Sequence, residues 1–424
     1  MRGLGVQSTG HASIGEPVSQ RMASRERNDM KMLKQPGFRL RKEEERIMNH
    51  AEETLAACQE IIDNCTDCGL CRAECQLLER IDESLVSLAT RQPTVSEAYN
   101  CSLCGLCESV CPAGLSPKYM FAALREQSVA KGEIEIEDFR YMFPDRPLNV
   151  MKLIREANGI GYGELNPDRE CDTAFFAGCS MLTYDPHLVH VLFKTLQQES
   201  KTISLLTDCC GLPLYQLGLK EREARFSQGL KDKLLRLKVK KLIFACPNCY
   251  YQLQPMALEM GIAIQTIYEA LEDSELVNAP LAEHQRKIVT VHDSCPDRPA
   301  GKFAGQVRKA LAGKGYSLVE MEHHRDRALC CGSGGQVSHF DPELAQSLVQ
   351  ARLREVEASA AEILTAYCLG CVLNLSKNQN QIPVQHVLNL LLEFEQDFAG
   401  LKKRAQSLLE GPEGEKLWER VMAD

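Results

Sequence analysis

Cys65, Cys68, Cys71 and Cys75 form one tight run, and Cys101, Cys104, Cys107 and Cys111 another; both are spaced C-x2-C-x2-C-x3-C, and Pro112 follows the second. With this spacing three thiolates wrap one corner of a 4Fe–4S cluster, while the fourth cysteine of each run reaches the neighbouring cluster. Cys65, Cys68, Cys71 and Cys111 are therefore expected to hold one cluster, and Cys101, Cys104, Cys107 and Cys75 the other. Structural zinc asks for two separated pairs closing a tetrahedron, not a triple with a remote fourth ligand. Gln76 stands where a proline would follow Cys75, which alters the chain exit and removes no ligand. The chemistry such a pair of clusters performs is the passage of single electrons.

Ten more cysteines repeat in matching frames further along. Cys179 is followed by Cys209-Cys210-Gly211 and Cys246-x-x-Cys249, and Cys295 by Cys330-Cys331-Gly332 and Cys368-x-x-Cys371. Self-similarity at one long period implies two related units side by side. A closed cubane takes one thiolate per iron, so a fifth sulfur must bridge two irons, stay free or distort the cluster. A zinc site with a spare thiol, or a redox disulfide in the vicinal pair, are the other readings of these residues. Cys58 and Cys171 fall outside every motif and are expected to be small buried hydrophobes.

The elements that must position these sulfurs are legible around them. TAFFAGC, SLLTDCC, KLIFACPNC, KIVTVHDSC and AEILTAYC are short apolar runs that end in cysteine, and helix-length segments such as EREARFSQGLKDKLLRL separate several of them. Strand, helix, strand predicts a mainly parallel sheet, whose ligands gather beyond the carboxyl ends of its strands. Upstream, RKEEERIMNHAEETLAACQEII predicts a helix with Ile47, Leu55, Cys58 and Ile62 on its inner face. DESLVSLATRQ predicts a second helix broken by Pro93, and SPKYMFAALREQSVAKG a third that closes on glycine. Gly159, Gly161 and Gly163 follow no apolar strand, so the stretch around them reads as a linker and not as a nucleotide loop.

With C-x29-CCG-x34-C-x2-C followed by C-x34-CCG-x35-C-x2-C, and with GCSMLTYDP, CCGLPLYQLG, CPNCYYQL and CCGSGGQVSH around the cysteines, the chain resembles the cysteine-rich CCG domain family. Two such domains behind a two-cluster ferredoxin-like domain resemble the D subunit of heterodisulfide reductases, over roughly residues 45 to 395. HDSC replaces the more usual HDPC in the second half, and CLGC lacks the CPxC proline. The resemblance implies an α-helical ferredoxin-like domain with two cubane 4Fe–4S clusters, then two α/β Rossmann-like CCG domains with parallel sheets. It also implies two noncubane 4Fe–4S clusters facing one another: Cys179, Cys209, Cys210, Cys246 and Cys249 hold one, and Cys295, Cys330, Cys331, Cys368 and Cys371 the other. The implied activity is reduction of a disulfide, of the heterodisulfide type, by an oxidoreductase subunit acting on sulfur groups. Its implied partners are a flavoprotein or membrane cytochrome as electron partner, and a disulfide or protein-thiol substrate. The same family also supplies iron–sulfur relay subunits of flavin-dependent glycolate, lactate or glycerol-3-phosphate dehydrogenases, and reductases of a protein-borne trisulfide.

The expected organisation is a disordered tail at 1–38, the ferredoxin-like domain at 39–145, a linker at 146–170, CCG domains at 171–290 and 291–395, and a helical extension at 396–424. A net charge of −9 offers no basic field to gather a polyphosphate, so nucleic acid is not expected as a partner. Twenty cysteines in 424 residues, clustered rather than dispersed, suit metal binding in a reducing cytosol rather than a disulfide scaffold. No stretch is apolar enough for a membrane span, so the expected location is cytoplasmic, or at the inner face of the membrane through a partner subunit. His187, His190, His292 and His339 lie near cysteines in sequence and have the right chemistry for proton delivery, but core or surface roles are the simpler expectation.

Overall fold

The computed structural model describes residues 36–423 apart from 167, 201 and 380, and gives the backbone alone at 36–43 and 278. The tail expected at 1–38 lies outside the described residues as far as 35. The first helix, Pro36–Asn64, leads directly into Cys65. Its inner face is not the one expected: His50, Thr54, Ala57, Cys58 and Ile61 are buried, while Leu55 is 52% exposed. Thr54 Oγ1 donates to the His50 carbonyl at 3.0 Å, and the His50 ring sits among Glu53, Glu126 and Glu221. Thr54 Oγ1 and His50 Nε2 thus enter the interface already partnered, which lowers the cost of burying them.

That helix packs along Pro117–Lys131, which starts with Ser116 Oγ accepting from the Tyr119 amide and stops at Gly132. Gly132 has φ 68°, the left-handed conformation that favours glycine at a helix end. The helix expected between the cysteine runs is Leu85–Arg91, ending just before Pro93, and shorter helices Gln76–Ile81 and Val95–Asn100 flank it. Within the stretch read as a linker, Val150–Ala157 is helical, capped by Asn149 and anchored by buried Leu153 and Ile154.

Two four-stranded parallel sheets follow. The first is built from β1 (Thr173–Phe176), β2 (Ile203–Leu206), β3 (Lys241–Phe244) and β4 (Ala263–Thr266), in the order β2-β1-β3-β4. The second is built from β5 (Ile288–His292), β6 (Ser317–Leu318), β7 (Ile363–Ala366) and β8 (Val384–His386), in the order β6-β5-β7-β8. The strand order is the same in both, so the cysteine repeat is a repeat of architecture. Strands buried on both faces need unbroken apolar runs, and TAFF, ISLL and ILTA supply them. Each fully buried Phe or Leu among them contributes about 1.5–3 kcal/mol.

One apolar core runs through both sheets. Where they meet, Phe303 stacks on Tyr367 at 6.0 Å and meets the edge of Tyr250 at 5.5 Å, so rings from both halves share one cluster. The C-terminal helices Phe398–Ser407 and Gly411–Met422 bury Phe398 and Val421, and Arg140 donates to the Met422 carbonyl. Among the described residues no helix is long and apolar enough to cross a membrane.

Candidate metal centres

Each four-cysteine run is folded by the same local device. Asp67 and Gly69 in the first, and Leu103 and Gly105 in the second, all have positive φ near 50–75°. Such paired left-handed turns curl the chain about one point and aim backbone N–H groups inward. Accordingly Cys65 Sγ accepts from the Asp67 amide, and Cys101 Sγ from the Leu103 amide, both at 3.4 Å. Cys65, Cys68, Cys71 and Cys111 line one cavity of about 220 Å³. Cys75, Cys101, Cys104 and Cys107 line a second, deeper one. The fourth cysteine of each run thus sits with the other run's triple. Burial pushes the Cys75 thiol up to about 12 and the Cys101 thiol up to about 11.

The ten sulfurs of the repeat follow the ends of the strands. Cys179 and Cys295 each stand three residues beyond the last residue of β1 and β5, and Cys246 and Cys368 two residues beyond β3 and β7. All five cysteines of the first set, with Cys295, Cys368 and Cys371 of the second, open onto one cavity of about 480 Å³. Sulfur touches sulfur along Cys179, Cys209, Cys210 and Cys249 to Cys246, and Cys246 meets Cys368 of the other half. The second set is less even. Cys331 and Cys371 are 3.2 Å apart, whereas Cys330 lies against Cys295 and against Cys104 of the N-terminal region. The hydrogen bond from Cys330, ahead of opposing burial, holds the Cys104 thiol down at about 5. The structure therefore brings a sulfur of the second cluster run into contact with the C-terminal half of the repeat.

The rest of the cavity wall is apolar and neutral-polar. Among the described residues it contains no Asp or Glu, and Lys118, paired with Glu108 at 2.7 Å, is its only lysine or arginine. Of the four histidines singled out from sequence, none lines this cavity. His187 packs edge-on to Phe394, His190 stacks on Tyr162, and His339 bonds Tyr141 at 2.9 Å. His292 is fully buried at the end of β5, and burial drives it down to about 3, so it is a neutral imidazole. His386, at the end of β8, does reach the cavity and is held down at about 4 by burial. Sequence reasoning misses it, because no cysteine stands beside it; the signal is its place on the strand after Cys371. Cys58 and Cys171 are buried apart from all these groups, and burial raises both thiols, as small apolar residues require.

Arg125, equally invisible in the sequence, is the keystone between regions. It is fully buried and donates to the carbonyls of Ala98, Tyr99 and Cys101 in the N-terminal region, of Gln216 in the first half and of Gly335 in the second. No carboxylate touches it among these partners. Gly335 is glycine of necessity: its φ is 62°, and a Cβ there would stand 2.5 Å from the Ser102 carbonyl carbon.

Family models match the chain at two kinds of unit: a 4Fe–4S dicluster domain over 61–115, and a cysteine-rich (CCG) domain twice, over 173–254 and 289–376. The D subunit of the dihydromethanophenazine:CoB–CoM heterodisulfide reductase of Methanosarcina mazei is 25% identical over 317 residues, covering 70% of this chain and 76% of that protein. The B subunit of the CoM/CoB fumarate reductase of Methanothermobacter marburgensis is 25% identical over 66% of this chain and 58% of its own. The glycolate oxidase iron–sulfur subunit of Escherichia coli is 24% identical over 50% of this chain and 56% of its own.

Proposed function

We propose that this protein, which is similar to the D subunit of heterodisulfide reductases and is an iron–sulfur oxidoreductase subunit of a larger complex, reduces a disulfide held between its two CCG halves. The observation that carries the reading is the single 480 Å³ cavity onto which sulfurs of both five-cysteine sets open, with Cys246 and Cys368 in contact across it. On this reading the N-terminal region, 39–145, is a ferredoxin-like domain whose two cysteine groups hold cubane clusters. The CCG domains, 171–290 and 291–395, have Rossmann-like sheets and hold noncubane clusters on five cysteines each. The donor sets suit iron: all eighteen are sulfur, and most of the ten inner ones are buried. Such clusters, when bound, supply electrons one at a time, and a disulfide needs two electrons and two protons to become two thiols.

The chain's own residues would do the rest. The carboxylate-free wall admits a substrate that becomes anionic as the S–S bond breaks, and the Lys118 ammonium, shared with Glu108 at 2.7 Å, is the cation nearest to hand in that wall. Arg125 and Gly335 hold the N-terminal region against the cavity so that Cys104 and Cys330 stay in contact. Electrons arrive from a flavoprotein or membrane cytochrome, in the cytoplasm or at the inner face of the membrane.

The rival reading is an electron relay for a flavin-dependent dehydrogenase, favoured by the likeness to the glycolate oxidase subunit; reduction of a protein-borne trisulfide is a variant of the main one. Electron paramagnetic resonance of the oxidised protein separates them. A cluster signal that appears or shifts on adding a small thiol is expected. Its absence across a broad set of thiols, in protein carrying all its iron, would leave the relay.

A further inference from the structure

The two halves share a fold but not the residue behind the cluster. Phe176 ends β1 three residues before Cys179, and His292 ends β5 three residues before Cys295, in the same place in the sheet. Phe176 is tilted against Phe244 and has no hydrogen to donate. His292 has one, and its position is dictated. Arg352 Nε, which can only donate, bonds His292 Nδ1 at 3.0 Å, so Nδ1 must carry the lone pair. The proton therefore sits on Nε2, and Nε2 is buried with no hydrogen-bond partner among the described protein atoms. A ring nitrogen of His292 and the thiols of Cys331 and Cys371 lie within 4.8 Å of one another.

An N–H buried without an acceptor costs about 1–3 kcal/mol, and the sulfur-bearing groups beside the ring are those of Cys331 and Cys371. The alternative, His292 as an iron ligand in the manner of histidine-ligated clusters, would need both ring nitrogens to offer lone pairs, which neutral imidazole cannot do. Arg352 is itself fixed: it is fully buried, donates to the His323 carbonyl at 2.6 Å and pairs with Glu355. The imidazole has no freedom to exchange its tautomer.

We propose that His292 is a positioning residue that donates Nε2–H to sulfur around Cys331 and Cys371, and so makes the two CCG clusters unequal, with the C-terminal one the easier to reduce. Hydrogen bonds to cluster sulfur draw off negative charge and raise the reduction potential. The proposal rests on the reading that both five-cysteine sets hold clusters. The half that is favoured is also the half whose Cys330 touches Cys104, so an electron leaving the N-terminal region meets the better acceptor first.

The test uses the full-length protein purified without oxygen. Iron and sulfide content first establishes whether four clusters are present; a shortfall defeats the ligand reading, separately from this proposal. In fully loaded protein carrying 15N-labelled histidine, pulsed electron paramagnetic resonance is expected to show a weak histidine-nitrogen coupling on one CCG cluster. A redox titration of His292→Phe, which installs the first half's residue, is expected to lower the potential of that cluster alone. His292→Gln, which keeps an N–H, is expected to restore part of the difference. A strong coupling typical of a bound nitrogen, no coupling at all, or potentials unchanged in His292→Phe would each overturn the proposal. Should His292→Phe fail to take up iron, the coupling in the unsubstituted protein still decides.

Discussion

At the scale of single residues, cysteines of one type meet three fates, and each fate has its own signature. Cys58 and Cys171 pack as apolar groups, so replacing either with alanine is expected to cost about 1 kcal/mol in thermal or denaturant unfolding and to leave iron content unchanged. Cys104 and Cys330 touch across the boundary between the N-terminal region and the C-terminal half, so Cys330→Ser is expected to slow electron arrival in that half while the N-terminal clusters still reduce normally with dithionite in rapid-freeze spectra. Lys118→Met removes the only lysine or arginine of the cavity wall among the described residues and, on the proposed function, is expected to lower kcat/KM for disulfide reduction about tenfold, with cluster spectra unaltered. The grouping of the two N-terminal cysteine runs was legible because close thiol spacing survives in one dimension. Arg125 was not. Its partners are five carbonyls from three regions, and a carbonyl has no signature in a sequence.

Among the elements, the strands were the easiest to read. TAFF, SLL, KLIF, IVTVH and ILTA are short, apolar and followed within three residues by cysteine, and all five lie in strands. The first helix was placed correctly but turned wrongly: a rule that sends Leu55 inward ignores Thr54, which bonds its own helix, and His50, whose ring meets Glu126 and Glu221 from other elements, so both occupy the buried face. The Val150–Ala157 helix escaped because it is two turns long and flanked by Pro and Gly, although Asn149 is a good cap. The junction of elements is tightest at Gly335. Gly335→Ala would drive a methyl into the Ser102 backbone at a positive φ, and a loss of roughly 2–4 kcal/mol is expected by chemical denaturation. A second junction joins the halves. Asp185 Oδ2 accepts from Asn389 Nδ2 at 2.8 Å, and burial raises the Asp185 carboxyl above its usual range. Between the ordinary and the raised value the unfolded chain has lost a proton that the folded chain keeps, so this contribution to stability is present at low pH and is lost as pH rises through the raised value. Asp185→Asn is therefore expected to raise Tm near pH 7 relative to its effect at pH 4, since Asn389 Oδ1 is free to turn and accept.

For the molecule as a whole, duplication explains both what the sequence disclosed and what it hid. The repeat of Cys-Cys-Gly announced twin sheets, and both have the same strand order. What it hid is that twins need not be equals: Phe176 and His292 hold one address on two sheets, and only three-dimensional context shows that one of them carries a buried ring nitrogen with no hydrogen-bond partner among the described residues. The sulfurs also form a gradient from outside to inside. Cys68 is exposed beside Leu70, whereas the last set is buried, except for Cys295 at the cavity. On the proposed ligand assignment, dioxygen diffusing in from bulk water reaches the outermost iron first. Corrosion of the protein in air should proceed inward from Cys68, severing supply before it spoils the chamber, so that briefly aerated samples lose turnover with a physiological donor while a small diffusible reductant still drives them.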